Sequence, residues 1–112
     1  MTLGEIYLMD FGIPFGSEPG YERPVIIAHS NKENLDNLNT TIVIPLTSNT
    51  INAECNGNVF IYKEKSKLSR DSVALVHQMI VVDKERLLRK LSKIDSSLLP
   101  SILDAEDYIL KP

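Results

Sequence analysis

Side chains alternate along "GEIYLMDFG" (residues 4–12) as they do in a strand: Ile6, Leu8 and Asp10 fall on one side, Glu5, Tyr7, Met9 and Phe11 on the other. Gly12, Pro14, Gly16, Pro19 and Gly20 then punctuate a loop of about ten residues, longer than an ordinary hairpin connection. "RPVIIAHS" is apolar on both sides, which predicts a central strand, and Pro24 near its start suits a position where the ladder needs no donor. After the polar loop "NKENLDNLN", the segment "TTIVIPLTS" reads as a third strand that Pro45 and Thr47 bring to an end. "NTINAECNGN" is a loop with Asn56-Gly57 as its turn signal.

"VFIYKEKSK" predicts a fourth strand whose later half puts Lys63, Lys65 and Lys67 on one face. Three like charges there suit a solvated edge that discourages sheet-to-sheet pairing; phosphate contact is the rival reading. "DSVALVHQMIVVD" is a fifth, long strand, bent or split near Gln78, and "DKERLLRKLSK" a short helical turn plus a last short strand. Leu99, Ile102, Leu103, Glu106, Ile109 and Leu110 follow helical spacing, with Asp104, Glu106 and Asp107 nearer the wet side. Ser97 is a fitting N-cap, because it puts Pro100 in the first turn, where no N–H is needed. The sum is a mainly β (β+α) chain: a small barrel of five to seven strands with a C-terminal amphipathic helix packed on it.

Composition narrows this picture only slightly. At 112 residues, with 43% hydrophobic and 24% charged residues, the chain is expected to form a single domain over residues 1–112. No apolar run reaches the roughly 18 residues of a membrane span, and Glu5 and Asp10 interrupt the N-terminal apolar stretch, unlike a signal peptide. The lone Cys55 makes neither an internal disulfide nor a multi-cysteine metal site, so a cytoplasmic home is the default expectation.

Charge changes the picture more. The net of −3 conceals a division: residues 1–56 carry −5, residues 57–93 carry +5, and the last 19 carry −3. Local charge sets the field over a groove, so a phosphate-binding face is permitted. Walker loops, GxGxxG, HExxH and cysteine clusters are absent, and no cofactor or metal site is expected. His29 and His77, the only histidines, both fall on predicted strands, where packing is the ordinary role.

Four blocks in order, "GEIYLMDFG", "GSEPGYERPVIIAH", "TTIVIPLTS" and "RDSVALVHQMIVVDKERL", resemble the MazF/PemK toxins of bacterial toxin–antitoxin systems. The resemblance runs from about Gly4 to Leu91. It implies an SH3-like barrel that acts as a homodimeric, metal-independent, sequence-specific endoribonuclease on single-stranded RNA, leaving 2′,3′-cyclic phosphate and 5′-hydroxyl ends. It also implies a cognate, MazE-like antitoxin, acidic and partly disordered. The family's arginine of the R-P block falls on Arg23, and its hydroxyl residue after the third strand on Thr47. These two are the catalytic candidates.

The chemistry suits those residue types. A substrate 2′-OH nucleophile leaves the enzyme to supply alignment, charge stabilisation on the phosphorane and a proton for the leaving oxygen. A guanidinium fork matches two phosphate oxygens and a hydroxyl adds one donor. Arginine is a poor general base, so His77 is the candidate proton carrier by pKa. Many relatives have E-Q-x-R-T-x-D where this chain reads His77-Gln78-Met79-Ile80-Val81-Val82-Asp83. RNA-binding candidates are Phe15, Ser17, Glu18, Tyr21, Ser48, Asn49 and Gln78.

Blander readings stand beside these. Arg23 pairs with Glu18 or Glu22; Thr47 simply ends a strand; Phe15 and Tyr21 cover the barrel mouth. Two other functions fit the same barrel: a toxin that binds and blocks a protein target, as gyrase poisons do, or an RNA-binding module without catalysis.

Overall fold

The computed structural model describes residues 1–12, 16, 21–29, 38–51, 53 and 57–110. Seven strands run antiparallel: β1 (Glu5–Asp10), β2 (Glu22–Ile27), β3 (Thr40–Thr47), β4 (Asn58–Ile61), β5 (Ser72–Leu75), β6 (Ile80–Asp83) and β7 (Leu87–Lys93). A four-residue helix α1 (Lys63–Ser66) precedes β5, and the chain closes with α2 (Leu99–Leu110). The sheet order is β4-β5-β3-β2-β1-β7, with β6 also paired to β3. β2, apolar on both faces, lies between β1 and β3 as expected for a central strand.

One feature of β3 shapes the molecule. Along one edge it pairs with β2; along the other, Thr40–Val43 pair with β6 and Leu46–Thr47 with β5. A 3₁₀ turn at Val76–Gln78 divides those two partners, so the long fifth strand splits where the sequence predicted. Strand alternation then sorts the core in two. Ile6, Ile26, Ile44, Leu46 and Ala74 pack with Ile102 and Ala105 of α2 on one face, while Met9, Val25, Ile27, Val43 and Val82 form a smaller cluster on the other.

Three local expectations are corrected. Lys63, Lys65 and Lys67 do not share a strand face: β4 ends at Ile61, opposite Ser72, where its partner β5 begins. With no partner strand left, the chain coils into α1, its first N–H donating to Asp71 Oδ1 at 2.9 Å, and Lys67 ends it at φ +63°. Second, Asp95 and not Ser97 makes the cap: its Oδ1 accepts the Ser97 N–H at 2.9 Å and begins a 3₁₀ turn that runs into α2. Pro100 still falls in the first turn of α2. Third, the buried stripe of α2 is Ile102, Ala105 and the partly buried Ile109, whereas Leu103 and Leu110 are exposed. Glu106 is not on the wet side. Its Oε1 is buried without a hydrogen-bond partner, and burial, helped by Asp107, pushes its carboxyl pKa up.

A half-exposed lysine secures β1 to the edge strand. Lys90 Nζ of β7 reaches Glu5 Oε2 at 2.6 Å, and Glu5 Oε1 accepts the Thr2 N–H at 2.6 Å. Burial raises the Glu5 pKa, but Lys90 and the Thr2 N–H outweigh it and hold the carboxyl below its ordinary value. A depressed carboxylate contributes stability above its unfolded pKa and loses it as pH falls through the folded one. Lys90→Met therefore lowers the melting temperature by a few degrees at pH 7 and by less at pH 4, where Glu5 protonates more readily; thermal melts at the two pH values check this.

No helix among the described residues is long and apolar enough to cross a membrane.

Candidate active site

The loop after β1 is closed at its base by the backbone. The Phe11 N–H donates to the Tyr21 carbonyl at 2.7 Å, and the Tyr21 N–H to the Gly12 carbonyl at 2.7 Å. Asp10 Oδ1 accepts the Gly12 N–H at 2.8 Å. Gly12 and Tyr21 both take positive φ, +72° and +58°; for Tyr21 this is an uncommon conformation, held by the two bonds that flank the loop. The chain thus enters β2 on a fixed trajectory, with Arg23 paired to Met9 and Glu22 to Asp10.

Arg23 is exposed near the start of β2, and Thr47 is half-buried at the end of β3. The antiparallel register Val25↔Pro45, continued by two residues, faces Arg23 with Thr47. Alternation assigns both side chains to the sheet face that carries Val25 and Val43. Thr47 is also paired to Val73 of β5. Its Oγ1 accepts the Asn49 N–H at 3.1 Å, and Asn49 Oδ1 in turn accepts the Ile51 N–H at 3.1 Å. With its oxygen engaged, the hydroxyl still has its proton to donate. Asn49 is thereby occupied in shaping the turn that orients Thr47.

Around the strand edge, at the open end of the main core, lies a cavity of about 610 Å³. Arg23, Glu22, Ser48 and Arg70 border it, with Tyr21 at the loop base; Leu46, Leu68 and Leu91 form its apolar floor. Arg70 and Glu22 escaped the sequence reading as site residues. Arg70 was visible only as one of nine basic residues in the positive middle of the chain, and Glu22 only as a pairing partner for Arg23. Their meeting depends on the loop before β5 folding back over the start of β2, which no local pattern encodes.

His77 and Gln78 stand apart from this lining, on the 3₁₀ turn between β5 and β6. His77 Nδ1 lies 3.0 Å from Asn58 Oδ1, and Gln78 Nε2 lies 3.4 Å from His77 Nε2. With Asn58 Oδ1 as its acceptor, Nδ1 carries a ring proton, assigned from the partner. Gln78 Oε1 is buried and has no hydrogen-bond partner. His29 is buried, as expected of a packed residue, but lies two residues past the end of β2 rather than on the strand. Phe15, Ser17 and Glu18 lie outside the described residues.

Residues 2–106 match the family model described as PemK-like, MazF-like toxin of type II toxin-antitoxin system. This chain belongs to that family. Among curated MazF relatives, endoribonuclease MazF6 of Mycobacterium tuberculosis is 37% identical over 102 residues, covering 91% of this chain and 90% of the relative. Endoribonuclease MazF of Staphylococcus saprophyticus is 36% identical over 110 residues, covering 98% and 91%. A solved mycobacterial endoribonuclease in complex with its cognate antitoxin shares the fold, with a TM-score of 0.78, 18% identity, and coverage of 100% of this chain and 97% of that one. The MazF/PemK resemblance read from the four sequence blocks is thus borne out, as is the mainly β fold with a C-terminal helix. The rival readings, a protein-target poison and a non-catalytic module, are not favoured by relatives named as endoribonucleases.

Proposed function

We propose that this MazF/PemK toxin, an endoribonuclease by its relatives, cuts single-stranded RNA in a sequence-specific, metal-independent reaction. The substrate's own 2′-OH attacks the adjacent phosphorus, the 5′-oxygen leaves, and the products carry a 2′,3′-cyclic phosphate and a 5′-OH. One observation supports the reading: β2 and β3 pair antiparallel with Val25 opposite Pro45, a register whose continuation by two residues brings Arg23 opposite Thr47. Arg23 offers a planar fork to two non-bridging oxygens as negative charge grows on the phosphorane. Thr47 adds a hydroxyl donor whose orientation the Asn49 N–H fixes. Both strands are internal to the sheet, so the two groups are aligned before substrate arrives.

The remaining roles follow from position. Tyr21, at the loop base, and Ser48, one residue past Thr47, both border the cavity, which supports contacts with nucleotides flanking the cut. Phe15, Ser17, Glu18 and Gln78 remain RNA-binding candidates, and His77 a candidate proton carrier. Exposed Ile80 and Val81 on β6 support a face for a second copy of the chain, hence a homodimer. The mycobacterial complex supports a partner antitoxin, an acidic and partly disordered segment that folds on binding. A cytoplasmic location accords with an RNA substrate.

The test is a purified-protein assay on a long transcript in EDTA. Cleavage persists, ends carry cyclic phosphate, and a single 2′-deoxy nucleotide at the mapped cut blocks scission there. Cleavage that vanishes with EDTA, or that ignores the 2′-deoxy substitution, would sink the mechanism.

A further inference from the structure

The geometry points to the cavity beside Arg23 as a nucleotide subsite, in which Glu22 selects the base and Arg70 holds a phosphate of the RNA. This rests on the endoribonuclease reading above and names residues that reading does not use. The cavity's volume of about 610 Å³ is in the range of small-molecule sites. Half-buried Leu68 and Leu91 on its floor offer an apolar seat for one base. Its rim holds groups of opposite sign that do not neutralise each other: Glu22 and Arg70 both border the space, yet no ion pair joins them among the described residues. Both are exposed, and neither is required by the core.

The two charges suit two parts of a nucleotide. A guanidinium in this position takes a phosphate, and Arg23 on the shared rim makes that phosphate a neighbour of the one being cut. A carboxylate only accepts hydrogen bonds. On a base edge it favours adenine, cytosine or guanine, each of which presents an amino group, over uracil, whose two carbonyls face it with negative charge. The substrate class is therefore a single-stranded RNA with an amino-bearing base beside the scissile nucleotide. Ser48 has a hydroxyl that adapts to either donor or acceptor and does not set this choice.

The experiment uses the whole chain and two variants, Glu22→Gln and Arg70→Ala, with thermal melts to confirm that both fold. Cut sites are mapped across a long transcript in EDTA, and binding is measured with short RNAs made uncleavable by a 2′-deoxy nucleotide and differing at one base. In the wild type, uracil is depleted at one fixed position beside the cut. Glu22→Gln, whose amide also donates, raises the relative use and binding of uracil there by about tenfold, with other positions unchanged. Arg70→Ala raises KM severalfold with kcat nearly constant, and lowers the slope of log affinity against log salt by about 0.7. Arg70→Lys restores the salt slope. Unchanged base frequencies in Glu22→Gln overturn the proposal, as does a wild-type KM and salt slope in Arg70→Ala. A wild type that binds the oligonucleotides but leaves the long transcript uncut defeats the nuclease reading instead, and the binding series still decides the subsite.

Discussion

Arg23→Ala lowers the single-turnover rate of RNA cleavage by about 10²–10³-fold, the loss expected when a donor aimed at developing charge is removed. The fold is expected to survive the change. Arg23 is exposed, so its side chain fills no core space, and β2 is held by backbone pairing to β1 and β3. Arg23→Lys restores only part of the rate, because an ammonium is a point charge and lacks the fork that spans two oxygens. Substrate affinity falls much less than the rate, since the ground-state phosphate already carries its single charge and the second develops on the way to the phosphorane. Rapid-quench cleavage with enzyme in excess, alongside a binding titration, separates the two. An alanine variant that cuts at the wild-type rate removes Arg23 from the mechanism.

Ile44→Ala destabilises the protein by about 2–5 kcal/mol, the range for deleting a buried aliphatic side chain and leaving a partial cavity. Ile44 is fully buried, pairs with Ile26 across β2 and β3, and belongs to the cluster that α2 covers. For a domain of this size, each 1 kcal/mol lowers the melting temperature by roughly 4–8 °C. Denaturant unfolding at fixed temperature measures the change with an unaltered m-value. Below the melting range, the folded fraction still cuts RNA at a near-normal rate, because Ile44 faces the core side and the proposed reacting groups face the other. A loss under about 1 kcal/mol would mean that α2 and the sheet close over the gap.

These two results divide along the same line as legibility. Strand positions, the split near Gln78 and the amphipathic end helix were readable because burial imposes periodicity on sequence, and Ile6, Ile26 and Ile44 all obey it. The Arg23 and Thr47 candidates came from block resemblance, and their opposition came only with the register of β2 and β3. The lysine run misled because alternation at Lys63, Lys65 and Lys67 does not reveal where pairing stops; what decided it was the start of β5 at Ser72, opposite the last residue of β4. Capping misled by two residues, since Asp95 and Ser97 are equally good acceptors and only the 3₁₀ turn chooses between them. The Glu22–Arg70 juxtaposition had no local signal at all.

The pairing of β1 with β7 carries a consequence for how the toxin is born. The first strand waits for the seventh, and the main core waits for Ile102 and Ala105 of α2 to cover it. Contacts so distant in sequence form late, and a nascent chain lacking its final segments has neither edge nor cover. On the ribosome the fold therefore stays unfinished until both β7 and α2 have emerged.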